Sequence, residues 1–194
     1  TMIADMVVLP ERQDRLDQMA EQVGIEAGYL DYREALAGDR FDAVLVCVPP
    51  HLHTEACVAA VEAGSHLFIE KPLAMTHDGL DALDELCRAK GVVGFVAYCY
   101  RFIPSVEKVK ALVDEGRIGK VLSARMETSF YLPDWHPWED YRQFYMARKE
   151  HGGGALYDES HAIDMMRWLL GEVDAVQAFV GKVSDLEIDS DDIA

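Results

Sequence analysis

The chain has 194 residues, 50% of them hydrophobic, enough to bury a sizeable core in one domain or two small ones. Its 35 acidic and 18 basic residues give a net charge of −17, which argues against a general affinity for nucleic acid or anionic membranes and fits a solvated acidic surface. No apolar run reaches the ~18–20 residues needed to span a bilayer. No basic segment followed by an apolar stretch opens the chain, so a cytoplasmic location is the default expectation. Cys47, Cys57, Cys87 and Cys99 make no C-x-x-C pair. Three of them lie in or beside apolar runs, which suits buried free thiols better than a disulfide or a zinc site.

The apolar run at residues 2–4 ends at Asp5. Residues 11–23 follow with Leu16, Met19, Ala20 and Val23 on one helical face, stopped by Gly24. A short helix is expected over residues 31–36, closing near Gly38. Residues 43–48, Ala-Val-Leu-Val-Cys-Val, read as a parallel strand covered on both faces, ended by Pro49 and Pro50. A helix over residues 52–63, a strand over 66–69, a helix over 78–90 and a buried strand over 92–97 complete the first half. Strand–helix alternation at this spacing implies an α/β fold, a parallel sheet with helices on both faces. Right-handed crossovers bring the C-terminal strand ends to one edge, where ligands of open α/β sheets bind. The informative loops are therefore residues 49–53, 70–72 and 98–101.

Beyond Arg101 the pattern changes, and we place a domain boundary between residues 99 and 100. Residues 105–115 read as an amphipathic helix with Val106, Val109 and Leu112 inward. Residues 121–130 alternate in the manner of a half-buried strand, and residues 173–183 read as another strand. Residues 131–151 are aromatic and charged with little period, the mark of a long functional loop. Gly152-Gly153-Gly154 opens a helix running to about Leu170. The last ten residues carry five Asp or Glu and read as a loop or linker.

Glu70-Lys71-Pro72 follows a buried strand at the ligand edge. A lysine there carries a charge and three donors and can polarise a substrate oxygen. The proline fixes the backbone and is a candidate for a cis bond. Alone the tripeptide is weak, because such runs occur in ordinary surface turns. Its surroundings add weight: Pro49-Pro50-His51-Leu52-His53 after the preceding strand, then Ala63-Gly64-Ser65-His66 and Glu70-Lys71-Pro72-Leu73-Ala74. Tyr100-Arg101-Phe102-x-Pro104, Gly119-Lys120-Val121 and Gly152-Gly153-Gly154-Ala155-Leu156-x-Asp158-x-x-His161-x-Ile163-Asp164 continue the series. In this order the motifs resemble the Gfo/Idh/MocA oxidoreductase family, named for glucose–fructose oxidoreductase and inositol dehydrogenase, across nearly the whole chain.

The resemblance implies an α/β fold with a Rossmann-type parallel sheet, the NAD(P)-binding domain, at residues 1–99, and a second α/β domain with an open sheet, for substrate binding and oligomerisation, at residues 100–194. It implies hydride transfer between NAD or NADP and a hydroxyl of a sugar or polyol, in a homo-oligomer, a dimer or tetramer. Lys71, His161 and Asp158 become the catalytic candidates. Neutral imidazole can accept the hydroxyl proton as hydride leaves the same carbon, and on a helix Asp158 and His161 share a face at i and i+3. Many relatives space this pair as D-x-x-x-H where this chain has D-x-x-H. Asp5, Pro49, Pro50, His51, His53, Glu70, Lys71 and Arg101 become cofactor candidates. Asp5 would hold the ribose hydroxyls from a strand end. His51 and His53 read equally well as helix-capping residues. Tyr131, Trp135 and Arg142, with Lys71 and His161, suit a sugar ring, apolar on its faces and polar at its rim. A loop packed on another subunit is the alternative for that segment.

The turn G-x-G-x-x-G that seats a pyrophosphate is absent. The expectation is a chain truncated at both ends relative to the family, beginning at the second strand. Two rival functions stay open: NAD-dependent cleavage of glycosides on the same fold, and a non-catalytic sugar or nucleotide sensor.

Overall fold

The computed structural model describes residues 5–7, 13–23, 25, 27–38 and 41–194. The apolar run at residues 2–4, the helix start at residue 11 and the stop at Gly24 lie outside the described residues, as do the side chains of Ala20 and Val23. In chain order come β1 (Met6–Val7), α1 (Gln13–Val23), β2 (Gly28–Tyr29), α2 (Tyr32–Gly38), β3 (Ala43–Val46), α3 (His53–Glu62), β4 (His66–Ile69), α4 (Leu80–Lys90) and β5 (Gly94–Val96). Then follow α5 (Pro104–Asp114), α6 (Leu132–Trp135), α7 (Ala155–Asp158) and α8 (Ser160–Leu170). The fold is α/β with Rossmann-type parallel pairing.

The chain forms two compact units. One comprises Thr1–Val46, Thr54–Phe68 and Asp78–Phe95; the other comprises Cys47–His53, Ile69–His77 and Val96–Ala194. In the first, β1 pairs in parallel with β2, Met6 opposite Gly28 and Val7 opposite Tyr29. Leu16 of α1 lies so close over Gly28 that an added Cβ would meet its side chain at 2.8 Å. Glycine is therefore what admits the helix to the strand, and Leu16 is buried, a contribution of about 1.5–3 kcal/mol. The second sheet has the order β3-β4-β5. Cys57, Ala60 and Val61 of α3 are fully buried, with Leu67 and Leu83 close behind. Small residues there let the helix sit near the sheet. Gly91 takes a left-handed conformation at the end of α4 and donates to Cys87 and Arg88, the stop that its place in the sequence implies.

One expectation for this unit fails: among the described residues β3 stands at the end of the β3-β4-β5 order, and Leu45 is 67% exposed rather than covered on both faces. Asp5 is the residue before β1, and its carboxylate accepts the Ala27 N–H at 3.2 Å.

In the second unit, residues 121–130 and 173–183 do not form strands. Their alternating pattern is real, but backbone N–H and C=O groups need a ladder partner. Among the described residues the one bridge is Gly181 to Ile193. Leu122 and Val176 are accordingly more than 80% exposed. α5 buries none of its side chains, and Val109, expected inward, is exposed. All four cysteines are free thiols; Cys57 is buried, whereas Cys47 and Cys99 are exposed, contrary to expectation. Those two stand just beyond β3 and β5, where the sheet no longer covers them.

Candidate active site

The loops after β3, β4 and β5 all belong to the second unit, together with residues 104–194. In the middle loop the Lys71–Pro72 peptide is cis. The Lys71 ammonium donates to the Asp158 carbonyl at 2.6 Å and to Asp158 Oδ1 at 2.9 Å. The two side chains are 13% and 9% exposed, so the pair is largely desolvated. An ammonium has three N–H donors. Two are held by Asp158, and among the described residues no hydrogen bond takes the third.

Asp158 has a second donor that the sequence reading missed. The Tyr145 hydroxyl donates to Asp158 Oδ1 at 3.1 Å. Burial, and then the Asp158 charge, push the Tyr145 phenol well above its ordinary range, so it stays protonated and donating. The signal was present in the aromatic loop, but periodicity could not say which of its tyrosines turns inward.

His161 is 7% exposed. Its ring stacks on Tyr100 at 4.1 Å between centroids and meets Tyr98 edge-on at 5.7 Å. Burial, followed by the nearby Lys71 charge, lowers its pKa and favours neutral imidazole. Nδ1 is buried and has no hydrogen-bond partner among the described residues. Asp158 and His161 do not share one helix, as the i, i+3 reading required. The backbone breaks at Glu159, with φ −91° and ψ 21°, and α8 starts afresh at Ser160. Asp164, one turn further along α8, is engaged elsewhere. It takes a two-pronged ion pair from Arg101, whose Nε donates at 2.8 Å. Arg101 thereby ties the third loop to α8.

The three glycines before α7 are each required. A Cβ on Gly152 would meet Pro50 at 2.7 Å, and one on Gly153 would meet the Tyr145 carbonyl oxygen at 2.3 Å. Gly154 has φ +116° and lies against Asp191.

The remaining cofactor candidates divide. His53 is fully buried, with Nδ1 2.9 Å from the Pro72 oxygen and Nε2 2.7 Å from the Val48 oxygen. Both nitrogens are committed to backbone, so His53 braces two loops rather than touching a cofactor. Pro50 is buried beneath Gly152. Pro49 is half-buried and His51 exposed, the latter stacked on His151 at 4.7 Å. The exposed Glu70 carboxylate accepts the Lys71 N–H at 3.3 Å. Of the substrate candidates, Arg142 is exposed and paired with Asp140 and Glu187. Trp135 stacks between Phe130 and His136, and Tyr131 is exposed. No hydrogen bond or ring contact joins these three to Lys71, Asp158 or His161 among the described residues.

A lysine at a strand end, fixed by an aspartate and set beside a neutral histidine, is the pattern against which relatives can be compared. Residues 6–98 match the family model described as "Oxidoreductase family, NAD-binding Rossmann fold", and residues 106–194 match the GFO/IDH/MocA C-terminal domain. The chain belongs to the GFO/IDH/MocA oxidoreductase family. A levoglucosan dehydrogenase of Pseudarthrobacter phenanthrenivorans is 37% identical over 163 residues, which is 83% of this chain and 41% of that protein. A myo-inositol 2-dehydrogenase of Thermotoga maritima is 34% identical over 162 residues, 83% of this chain and 46% of that protein. A solved levoglucosan dehydrogenase, in complex with NADH and levoglucosan, superposes with a TM-score of 0.68 at 33% identity. That match covers 87% of this chain and 44% of the solved one. The chain thus spans less than half the length of these relatives. As a GFO/IDH/MocA chain it carries the NAD-binding Rossmann fold in its first half.

Proposed function

We propose that the protein containing this chain oxidises a ring hydroxyl of a sugar, anhydrosugar or cyclic polyol with NAD or NADP. The observation that carries this reading is the Lys71–Asp158 pair beside His161. Two of the three ammonium donors are fixed at 2.6 and 2.9 Å. The third N–H is free to hold a substrate hydroxyl oxygen and stabilise the negative charge that grows there. His161, kept neutral by burial and by Lys71, accepts the hydroxyl proton. When bound, the nicotinamide supplies the hydride acceptor. The protein supplies orientation, charge and a proton acceptor. Pro49, His51 and Glu70, partly exposed at the strand ends, would hold the cofactor; the aromatic row from Phe130 to Trp138 suits the apolar faces of a sugar ring.

On this reading residues 1–99 serve the dinucleotide and residues 100–194 serve the substrate and self-association. Exposed Leu122, Val176 and Phe179 support a homo-oligomer, which sedimentation would test. No helix among the described residues is long and apolar enough to cross a membrane. A cytoplasmic site of action accords with four free thiols. The test is a panel of sugars, anhydrosugars and cyclic polyols offered with NAD⁺ or NADP⁺, reading reduced nicotinamide. Oxidation of at least one supports the reading; tight cofactor binding with no oxidation of any, or cleavage of glycosides instead, overturns it.

A further inference from the structure

Residues 189–192, Asp-Ser-Asp-Asp, belong to the acidic stretch that reads in sequence as a loop or linker. In the structure nearly every polar group of this run is engaged. Asp191 reaches the start of α7: its carbonyl accepts the Ala155 N–H at 2.9 Å and its Oδ2 accepts the Leu156 N–H at 2.9 Å. Gly154, which precedes α7, has no side chain with which to cap the helix. Asp191 supplies that cap from 35 positions along the chain. A Cβ at Gly154 would lie 2.2 Å from Asp191 Oδ1, so the glycine admits the carboxylate.

The same run grips the segment that carries Tyr145. Ser190, 1% exposed, donates its hydroxyl to the Met146 carbonyl at 2.6 Å. The Asp189 N–H donates to the Ala147 carbonyl at 3.1 Å, and Asp189 Oδ1 accepts the Lys149 N–H at 2.7 Å. On its other side the run is anchored by Asp192, whose carboxylate accepts the Val183 and Ser184 N–H groups at 2.7 and 3.0 Å. One strap therefore holds both supports of Asp158: the one-turn helix that bears it and the tyrosine segment that donates to it. A four-residue helix has no stability of its own, so its position is set by what caps it.

We propose that Asp191 is a positioning residue of the active site. By capping α7 it fixes Asp158, and through Asp158 it fixes the Lys71 ammonium. This rests on the oxidoreductase reading for its kinetic consequence, but not for its structural one.

The structural test uses the chain itself. Its lysines carry ¹³C and ¹⁵N from growth on labelled lysine, which leaves the ammonium intact, and the Lys71 side-chain resonance is assigned by its loss in Lys71→Arg. In Asp191→Ala that resonance should move to the position of exposed lysines. In Asp191→Asn it should stay, because the amide oxygen still accepts the Leu156 N–H. If Asp191→Ala does not fold, Ser190→Ala, which releases the Met146 carbonyl, should move the resonance part of the way. A resonance unmoved in the folded variant overturns the proposal.

The kinetic test uses the whole protein. Asp191→Ala should lower kcat roughly 100-fold with KM little changed, the cost of misplacing a reacting group by about 1 Å. Added to Asp158→Asn it should cost nothing further, since the anchor is already gone. Equal losses in both backgrounds show a merely structural role and overturn the proposal. No turnover in the parent overturns the oxidoreductase reading alone, and the lysine resonance then decides.

Discussion

Replacing Lys71 by alanine separates the two roles of its ammonium. In the resting structure Lys71 neutralises a carboxylate that is 9% exposed. Removing it leaves Asp158 with the Tyr145 hydroxyl and no cation. Breaking a buried pair from one side costs roughly 3–5 kcal/mol, and the remaining donor points to the lower end, about 3 kcal/mol. For a chain of this size that is a fall in melting temperature of roughly 6–12 °C. In turnover, the loss of one charged donor to the developing oxyanion should cost about 10²–10³ in kcat. The two effects part in the double variant. Asp158→Asn in the Lys71→Ala background removes the stranded charge, so stability recovers while turnover does not. Calorimetry on the chain and steady-state kinetics on the whole protein measure both. An unchanged melting temperature in Lys71→Ala, or turnover restored by Asp158→Asn, refutes the reasoning.

Three further outcomes follow from the same geometry. Burial and Lys71 lower the His161 pKa, so turnover should fall as pH drops below the ordinary imidazole value of about 6.5, and His161→Asn should lack that limb. Stability should carry the same sign: the neutral buried ring contributes fully above about 6.5 and its contribution is lost as pH falls towards the folded-state value; urea midpoints across pH would show it. For Asp192, burial raises the carboxyl pKa, but hydrogen bonds from Ser184 and Val183 outweigh it and hold the group below its ordinary range. Its stabilising contribution is present above the ordinary carboxylate value and lost as pH falls through the lowered one, so Asp192→Asn should flatten the acid limb of the urea curve. Gly153→Ala should destabilise by about 3 kcal/mol, because its Cβ would lie 2.3 Å from a backbone oxygen that cannot swing aside; an unfolding midpoint equal to the parent's would contradict it.

The alternation of apolar runs and capped helices made the Rossmann-type half legible, because period and stop signals are local properties of the chain. Motif order singled out Lys71 and His161, and the structure sets Lys71 on Asp158 and within electrostatic reach of His161. The relation of Asp158 to His161 was not legible, because the break at Glu159 is a conformational choice that no breaker residue announces. His53 read as a ligand contact since polar residues at a strand end usually face solvent; only tertiary packing turns both its nitrogens onto carbonyls. The expected strands at residues 121–130 and 173–183 show the limit of periodicity: it marks which face is apolar, but a strand exists only where a partner ladder does. Asp191 was hidden most thoroughly. Charge composition does not reveal which carboxylate in an acidic run meets unsatisfied N–H groups elsewhere.

The most direct measurement follows the hydride itself. The whole protein is incubated with NAD⁺ or NADP⁺ and with sugars, anhydrosugars and cyclic polyols deuterated at their ring carbons, and the nicotinamide is analysed by mass spectrometry. Deuterium should pass to the nicotinamide from at least one substrate, and Lys71→Ala should reduce that transfer by about 10²–10³. A protein that binds the cofactor tightly yet transfers no label from any of them, or transfers it equally well without Lys71, would contradict the assignment.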